Sequence, residues 1–138
     1  RRVGDAPVIV LDTYALVWRA VGDRRLSAPA LRAIKAATKA GAVFASAISV
    51  REIATAVRRG RLTLNAPFEQ WLADLRSLPE LRVEPVSAEI AALAGSFDGA
   101  MHGDPADRII AATARTLGAR LVTADDRLRG LPDVVSVW

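Results

Sequence analysis

The sequence predicts a three-layer α/β domain built on a mainly parallel five-stranded sheet. Three observations predict it. Short β-branched and aliphatic runs alternate with stretches of helical periodicity along the chain. Those runs are nearly all apolar, as in strands buried on both faces, rather than alternating apolar and polar. Glycine, proline or serine marks most changes from one pattern to the other. With 138 residues, the chain is expected to form one domain with a substantial core. Residues 1–6 are expected to be a flexible terminus.

The elements follow in order. Val8 to Leu11 reads as a buried strand that runs straight into Asp12. Tyr14, Leu16, Val17 and Val21 carry the apolar spacing of a first helix, closed by Gly22-Asp23. Ser27-Ala28-Pro29 has the cap chemistry of a second helix, which runs to about Lys39 and stops at Gly41. Val43 to Ala45 is a second strand. A third helix opens at Ser49-Val50-Arg51-Glu52, where Ser and Glu stand at capping-box spacing, and ends near Gly60. Asn65-Ala66-Pro67 starts a fourth helix bearing Phe68, Trp71, Leu72 and Leu75, and Leu81 to Val83 is a third strand. Ser87 caps a fifth helix that ends near Gly95, and residues 98–103 read as a loop. Asp104-Pro105 opens a sixth helix, stopped by Gly118. Leu121 to Thr123 and Val134 to Val137 complete the strands.

Composition removes several classes of function. The chain has no cysteine, which excludes disulfides, zinc–thiolate sites and cysteine nucleophiles. Its single histidine, His102, excludes two-histidine zinc motifs and argues against a Ser-His-Asp triad; in its loop it reads as an anchor or a substrate-side residue. No glycine-rich phosphate loop is present. An aspartyl-phosphate enzyme also places an Asp after its first strand. The phosphatases of that kind carry a second Asp two residues on, where this chain has Tyr14, and both lysines, Lys35 and Lys39, fall within the second helix. No apolar run approaches the ~18 residues of a membrane span, and Asp12 interrupts the first apolar run too early for a signal peptide. A cytoplasmic location is expected. The net charge of +4, with 17 Arg against 2 Lys, suits a polyanionic partner.

Parallel sheets bind ligands beyond the carboxyl ends of their strands. That rule brings four acids together. Asp12 follows strand one, Glu52 lies in the helix after strand two, Asp107 is in the first turn of the helix before strand four, and Asp125 lies two residues past strand four. All four can face one rim. An oxygen-only set of this kind suits Mg²⁺ or Mn²⁺. A metal there activates water and holds a phosphodiester for in-line attack. Each acid also has a simpler reading: Asp12 as a helix cap, Glu52 as half of a capping box with Ser49, Asp107 with Asp104 as dipole partners, Asp125 with Asp126 as turn residues. Joint placement, rather than any one position, favours a site.

At these residues the chain resembles a known family, the PIN-domain ribonucleases, and in particular the VapC-type toxins of type II toxin–antitoxin pairs. "VIVLDTYALVW" and "RLSAPALRAI" resemble the family's opening. "FASAISVREIA" with a following "GRL", then "HGDPADRIIAATA" and "LVTADDRL", resemble its later motifs in order and spacing. The resemblance implies a parallel five-stranded sheet with helices on both faces. It implies that Asp12, Glu52, Asp107 and Asp125 are catalytic metal ligands, choosing Asp107 over Asp104 and Asp125 over Asp126. Thr13, Asp104, Arg108 and Thr123 become supporting or substrate-side positions. It further implies a Mg²⁺- or Mn²⁺-dependent endoribonuclease with an RNA substrate, a cognate antitoxin and a homodimeric state. Phe68, Trp71 and Leu72 are candidates for the antitoxin groove, with plain core packing as the alternative. Tyr14 stands where similar sequences often have histidine, and Ala106 where an aromatic is common. The rival reading of the whole chain is a nucleic-acid-binding or scaffold module of the same fold without catalysis.

Overall fold

The structure, a computed structural model, describes residues 7–97 and 104–138, so His102 and the loop expected over 98–103 lie outside the described residues. The elements run β1 (Ile9–Leu11), α1 (Thr13–Val21), α2 (Ala28–Lys39), β2 (Val43–Ser46), α3 (Ala47–Arg58), α4 (Phe68–Ser77), β3 (Leu81–Glu84), α5 (Ala88–Ser96), α6 (Pro105–Leu117), β4 (Arg120–Val122), α7 (Asp126–Arg129) and β5 (Ser136–Val137). The sheet order is β3-β2-β1-β4-β5, and every neighbouring pair is parallel. No described helix is long and apolar enough to cross a membrane.

The first strand is the centre of the sheet because its residues suit nothing else. Ile9, Val10 and Leu11 are all fully buried. Strand alternation sends Ile9 and Leu11 to one face and Val10 to the other. On the first face they meet Leu16, Ile34, Trp71 and Leu75 from α1, α2 and α4. On the second they meet Ile110, Ala111 and Ala114 of α6 and Leu128 of α7. Ile90, Ala94 and Ala112 join α5 to α6 in a smaller cluster outside that layer. The alanines of α6 let the helix lie close to the sheet, and this is where the alanine-rich composition does its packing.

Strand order reverses at β1, since β2 pairs on one side and β4 on the other. Register aligns Leu11 with Ala45 and with Val122. The next residue of each strand, Asp12, Ser46 and Thr123, therefore meets the others at the carboxyl rim. Helices α1, α3 and α7 start at this rim because they follow β1, β2 and β4, and α6 starts there because it leads into β4. At the opposite end, α1 and α6 each stop on a glycine in the left-handed region, Gly22 (φ 68°) and Gly118 (φ 60°).

Several expectations need correction. Helix α3 is capped by Ser46, whose side chain accepts from Ile48 N at 3.1 Å, so Ser49 and Glu52 do not form a capping box. Ser49 is instead fully buried inside the first turn. Asp125 and Asp126 are not an irregular turn but open the single-turn helix α7. The last strand is Ser136–Val137 alone, because Val134 turns into the core against α6 and α7. Trp71 is 6% exposed and belongs to the core, with Phe68 and Leu72 half-buried against the same cluster, so the core-packing alternative describes Trp71.

Candidate active site

A cleft of about 650 Å³ opens at the carboxyl rim of the sheet. Asp12, Glu52, Asp104, Asp107 and Asp125 all line it, with Thr13 between them. Asp126 does not: its side chain is 96% exposed, with Arg129 Nη1 at 3.8 Å. Thus the four acids chosen from the sequence are brought to one cavity.

Asp12 is fixed most firmly. It is only 8% exposed. Its Oδ1 accepts from Ala15 N at 2.8 Å, which caps α1, while Oδ2 accepts from Thr123 Oγ1 at 2.5 Å. Thr123 Oγ1 in turn accepts from Asp125 N at 3.0 Å. Capping and site roles are therefore compatible, because a carboxylate has four lone-pair positions and these contacts use two. Burial pushes the Asp12 carboxyl above its ordinary value. The Thr123 and Ala15 hydrogen bonds oppose that shift, and the negative charges of Asp125 and Glu52 add to it.

Glu52 comes from the second turn of α3. Its Oε1 accepts from Thr13 Oγ1, and Thr13 Oγ1 also lies 2.9 Å from Ser49 Oγ. One hydroxyl carries one proton, so with Thr13 donating to Glu52, Ser49 donates to Thr13. Burial raises the Glu52 pKa first; the Thr13 hydrogen bond and the Arg51 charge act downward, and Asp104 and Asp107 act upward. Asp12 and Glu52 thus each feel neighbouring acids, and any cation placed among them relieves that repulsion.

The remaining acids belong to helix starts. Asp104 caps α6 by accepting from Ala106 N at 2.9 Å, and Asp107 stands in the first turn of that helix, half-buried. Asp125 caps α7, accepting from Arg127 N at 2.9 Å, with the Arg127 guanidinium at 3.3 Å. Four helix N-termini converge on the rim, so their partial positive ends offset part of the acidic charge. Arg108 does not line the cleft; its Nη1 donates to Phe97 O at 3.1 Å and ties α6 to the end of α5.

Among the described residues no three acids or histidines are gathered closely enough to enclose one metal ion. The donor set is nevertheless one for a hard cation. Mg²⁺ commonly keeps several waters and takes only one or two carboxylates. An open, hydrated site built on Asp12 with Glu52, Asp107 or Asp125 fits the residues present; a closed protein cage does not.

Of the other wall of the cleft, sequence reasoning singled out Tyr14 alone. Tyr14, Val17 and Trp18 of α1 line it, with Arg51, Arg59, Arg61 and Leu62 from α3 and the segment after it. Tyr14 and Trp18 stand four residues apart, the spacing that puts two side chains on one helix face, and that signal was available.

A rim of carboxylates on a doubly wound parallel sheet defines an α/β domain with a hard-cation donor set. The chain belongs to the PIN-domain family, whose profile matches residues 9–134. It is 36% identical over 132 residues to "Ribonuclease VapC22" of Mycobacterium tuberculosis (strain ATCC 25618 / H37Rv), covering 94% of this chain and 98% of that protein. Its fold is similar to that of VapBC2 from Rickettsia felis bound to a promoter DNA fragment (TM-score 0.68, 17% identity, 94% of this chain and 96% of that one). It is also similar to a toxin–antitoxin complex from Klebsiella pneumoniae (TM-score 0.62, 23% identity, 92% and 95%). At these identities the structural likeness is one of fold.

Proposed function

We propose that this protein is a metal-dependent endoribonuclease acting as the toxin of a toxin–antitoxin pair. The observation that carries the reading is the convergence of Asp12, Glu52, Asp107 and Asp125 on one cleft at the switch point of a parallel sheet. Near-full-length similarity to a protein named as a ribonuclease supports RNA as the substrate. Fold similarity to toxin–antitoxin complexes supports an antitoxin partner. A homodimer is part of the same proposal.

The residues divide the work. Asp12, held by Ala15 N and Thr123 Oγ1, presents its remaining lone pairs to the cleft in a fixed orientation. Glu52 is oriented by Thr13 from a different helix, so the two acids are positioned independently. Asp107 and Asp125 extend the acidic wall. The carboxylates would hold Mg²⁺ or Mn²⁺, which when bound supplies an activated water and charge neutralisation at a phosphodiester. Burial of Asp12 keeps bulk water from competing for that carboxylate. The buried Thr123 hydroxyl fixes which oxygen faces the cleft.

The test is to map RNA ends in cells after induction, beside an Asp12→Asn control. The variant keeps an acceptor for the α1 cap. Discrete new ends with the native protein and none with the variant are expected. Equal cleavage by a nuclease-free preparation of the variant overturns the reading.

A further inference from the structure

The cleft has two unlike ends, and the acid chemistry uses only one. At the other end Tyr14 is 64% exposed although its ring is beside Trp18, with centroids 5.8 Å apart. Trp18 itself is held from further sides. Trp138 lies 5.7 Å from it, and the Arg25 guanidinium sits 4.9 Å over its ring. Arg25 is in turn clamped by Asp23 through Nε at 3.1 Å and Nη2 at 2.7 Å. The result is an aromatic ladder with a fixed base, Trp18, and an open outer step, Tyr14. It runs along α1 away from Asp12. Across the same cleft stand Arg51, Arg59 and Arg61, all exposed and none in a salt bridge among the described residues.

Building on the ribonuclease reading above, we propose that Tyr14, backed by Trp18, is a stacking platform for an unpaired base of the RNA. Arg51, Arg59 and Arg61 take the flanking phosphates. Sequence-tolerant recognition of single strands uses these parts: an aromatic face for a base and a cationic wall for the backbone. Charge favours RNA over a protein occupant. One polyanion meets the arginines directly and the acids through a cation. A basic protein segment suits the acids but meets the arginines with like charge, and an acidic segment does the reverse.

The experiment uses the full chain in an Asp12→Asn background, so that RNA is bound and not cut. The probes are single-stranded oligoribonucleotides carrying one 2-aminopurine at successive positions, with the same strands annealed to complements as controls. One position is expected to be quenched on binding, and annealing is expected to remove the quench. Tyr14→Ala is expected to weaken binding about tenfold and abolish the quench, with Tyr14→Phe retaining both. An abasic nucleotide at the quenched position is expected to cost the native platform the same factor and Tyr14→Ala nothing further. With Asp12 restored, Tyr14→Ala is expected to raise KM more than it lowers kcat. Unchanged RNA affinity in Tyr14→Ala, or equal abasic penalties in both proteins, overturns the platform while cleavage by the native protein leaves the ribonuclease reading standing. Loss of antitoxin inhibition in Tyr14→Ala with RNA affinity intact also overturns it and makes this wall a protein-docking surface. Failure of the native protein to cut any RNA overturns the ribonuclease reading and the platform with it.

Discussion

The acidic and the arginine-aromatic ends of the cleft are built by opposite strategies. At the acidic end Asp12, Glu52, Asp107 and Asp125 are buried or half-buried, and Asp12 and Glu52 are each held by a hydroxyl from a different element. At the other end Tyr14, Arg59 and Arg61 stand in solvent, as does Arg51, whose charge also reaches Glu52. Crowded, desolvated carboxylates reduce the stability of the metal-free fold in exchange for a fixed geometry. Exposed cations and a bare ring cost the fold little and contribute affinity that salt screens. Chemistry and grip are thus expected to be separable by mutation, with the two ends expected to respond differently to pH, metal and salt.

The sharpest break is at Asp12. Asp12→Asn is expected to lower the RNA cleavage rate roughly a thousandfold or more, equivalent to about 4 kcal/mol, in a single-turnover assay. The same change is expected to raise the metal-free melting temperature by a few degrees in calorimetry. The sign follows from the direction of the pKa. A folded-state pKa above the unfolded one favours the protonated fold, so this group's contribution is present below the ordinary Asp range and is lost as pH rises through the elevated folded value. The native protein is therefore expected to lose more metal-free stability than Asp12→Asn between acid and neutral pH. A native protein no more pH-sensitive than the variant would count against the burial argument.

Metal addition probes the same end. Mg²⁺ or Mn²⁺ at roughly 100 times its Kd is expected to stabilise the native protein by about 2.7 kcal/mol, and to leave Asp12→Asn nearly unmoved. Thermal scans with and without a chelator check this. Next in size is Thr123→Val, which removes the hydroxyl between Asp12 Oδ2 and Asp125 N. It is expected to cost about 1–3 kcal/mol of stability and to reduce kcat roughly tenfold, with Thr123→Ser restoring most of both. The smallest effect belongs to the arginine wall. Single Arg51→Gln, Arg59→Gln or Arg61→Gln changes are expected to leave the melting point within about 0.5 kcal/mol. Each is expected to flatten the salt dependence of RNA binding by about 0.7 in log–log slope. A variant that melts early but keeps the native slope would show that its arginine serves the fold instead.

How far the sequence could be read follows from the range of the forces involved. The buried strands were visible because Ile9, Val10 and Leu11 are apolar on both sides, which only a central strand needs. Asp12 and acidic partners on the same rim are legible because strand ends in a parallel sheet share it, whereas the choice of Asp107 over Asp104 and of Asp125 over Asp126 rests on the family resemblance. The single turn α7 was not visible, since Asp126–Arg129 is too short to show a period. The start of α3 was misplaced because Ser46 and Ser49 are equally good caps locally. Packing of Ser49 against Thr13, 36 residues earlier, decides between them. Support for the acids is likewise non-local, and no window along the chain contains both Glu52 and Thr13 or both Asp12 and Thr123.

The hydrogen bond between Asp12 and Thr123 joins residues 111 positions apart. Chains are made from the N-terminus, so β1 and β2 are synthesised well before β4. Until residues 120–123 arrive, one edge of the central strand is bare and Asp12 lacks the hydroxyl that orients it. The acidic end of the cleft is consequently among the last parts of the molecule to be completed. A chain that stops short of residue 123 carries Asp12 without its mate. A chain cut before β4 is therefore expected to carry an unfinished site, with neither the β1–β4 pairing nor the Thr123 hydroxyl in place.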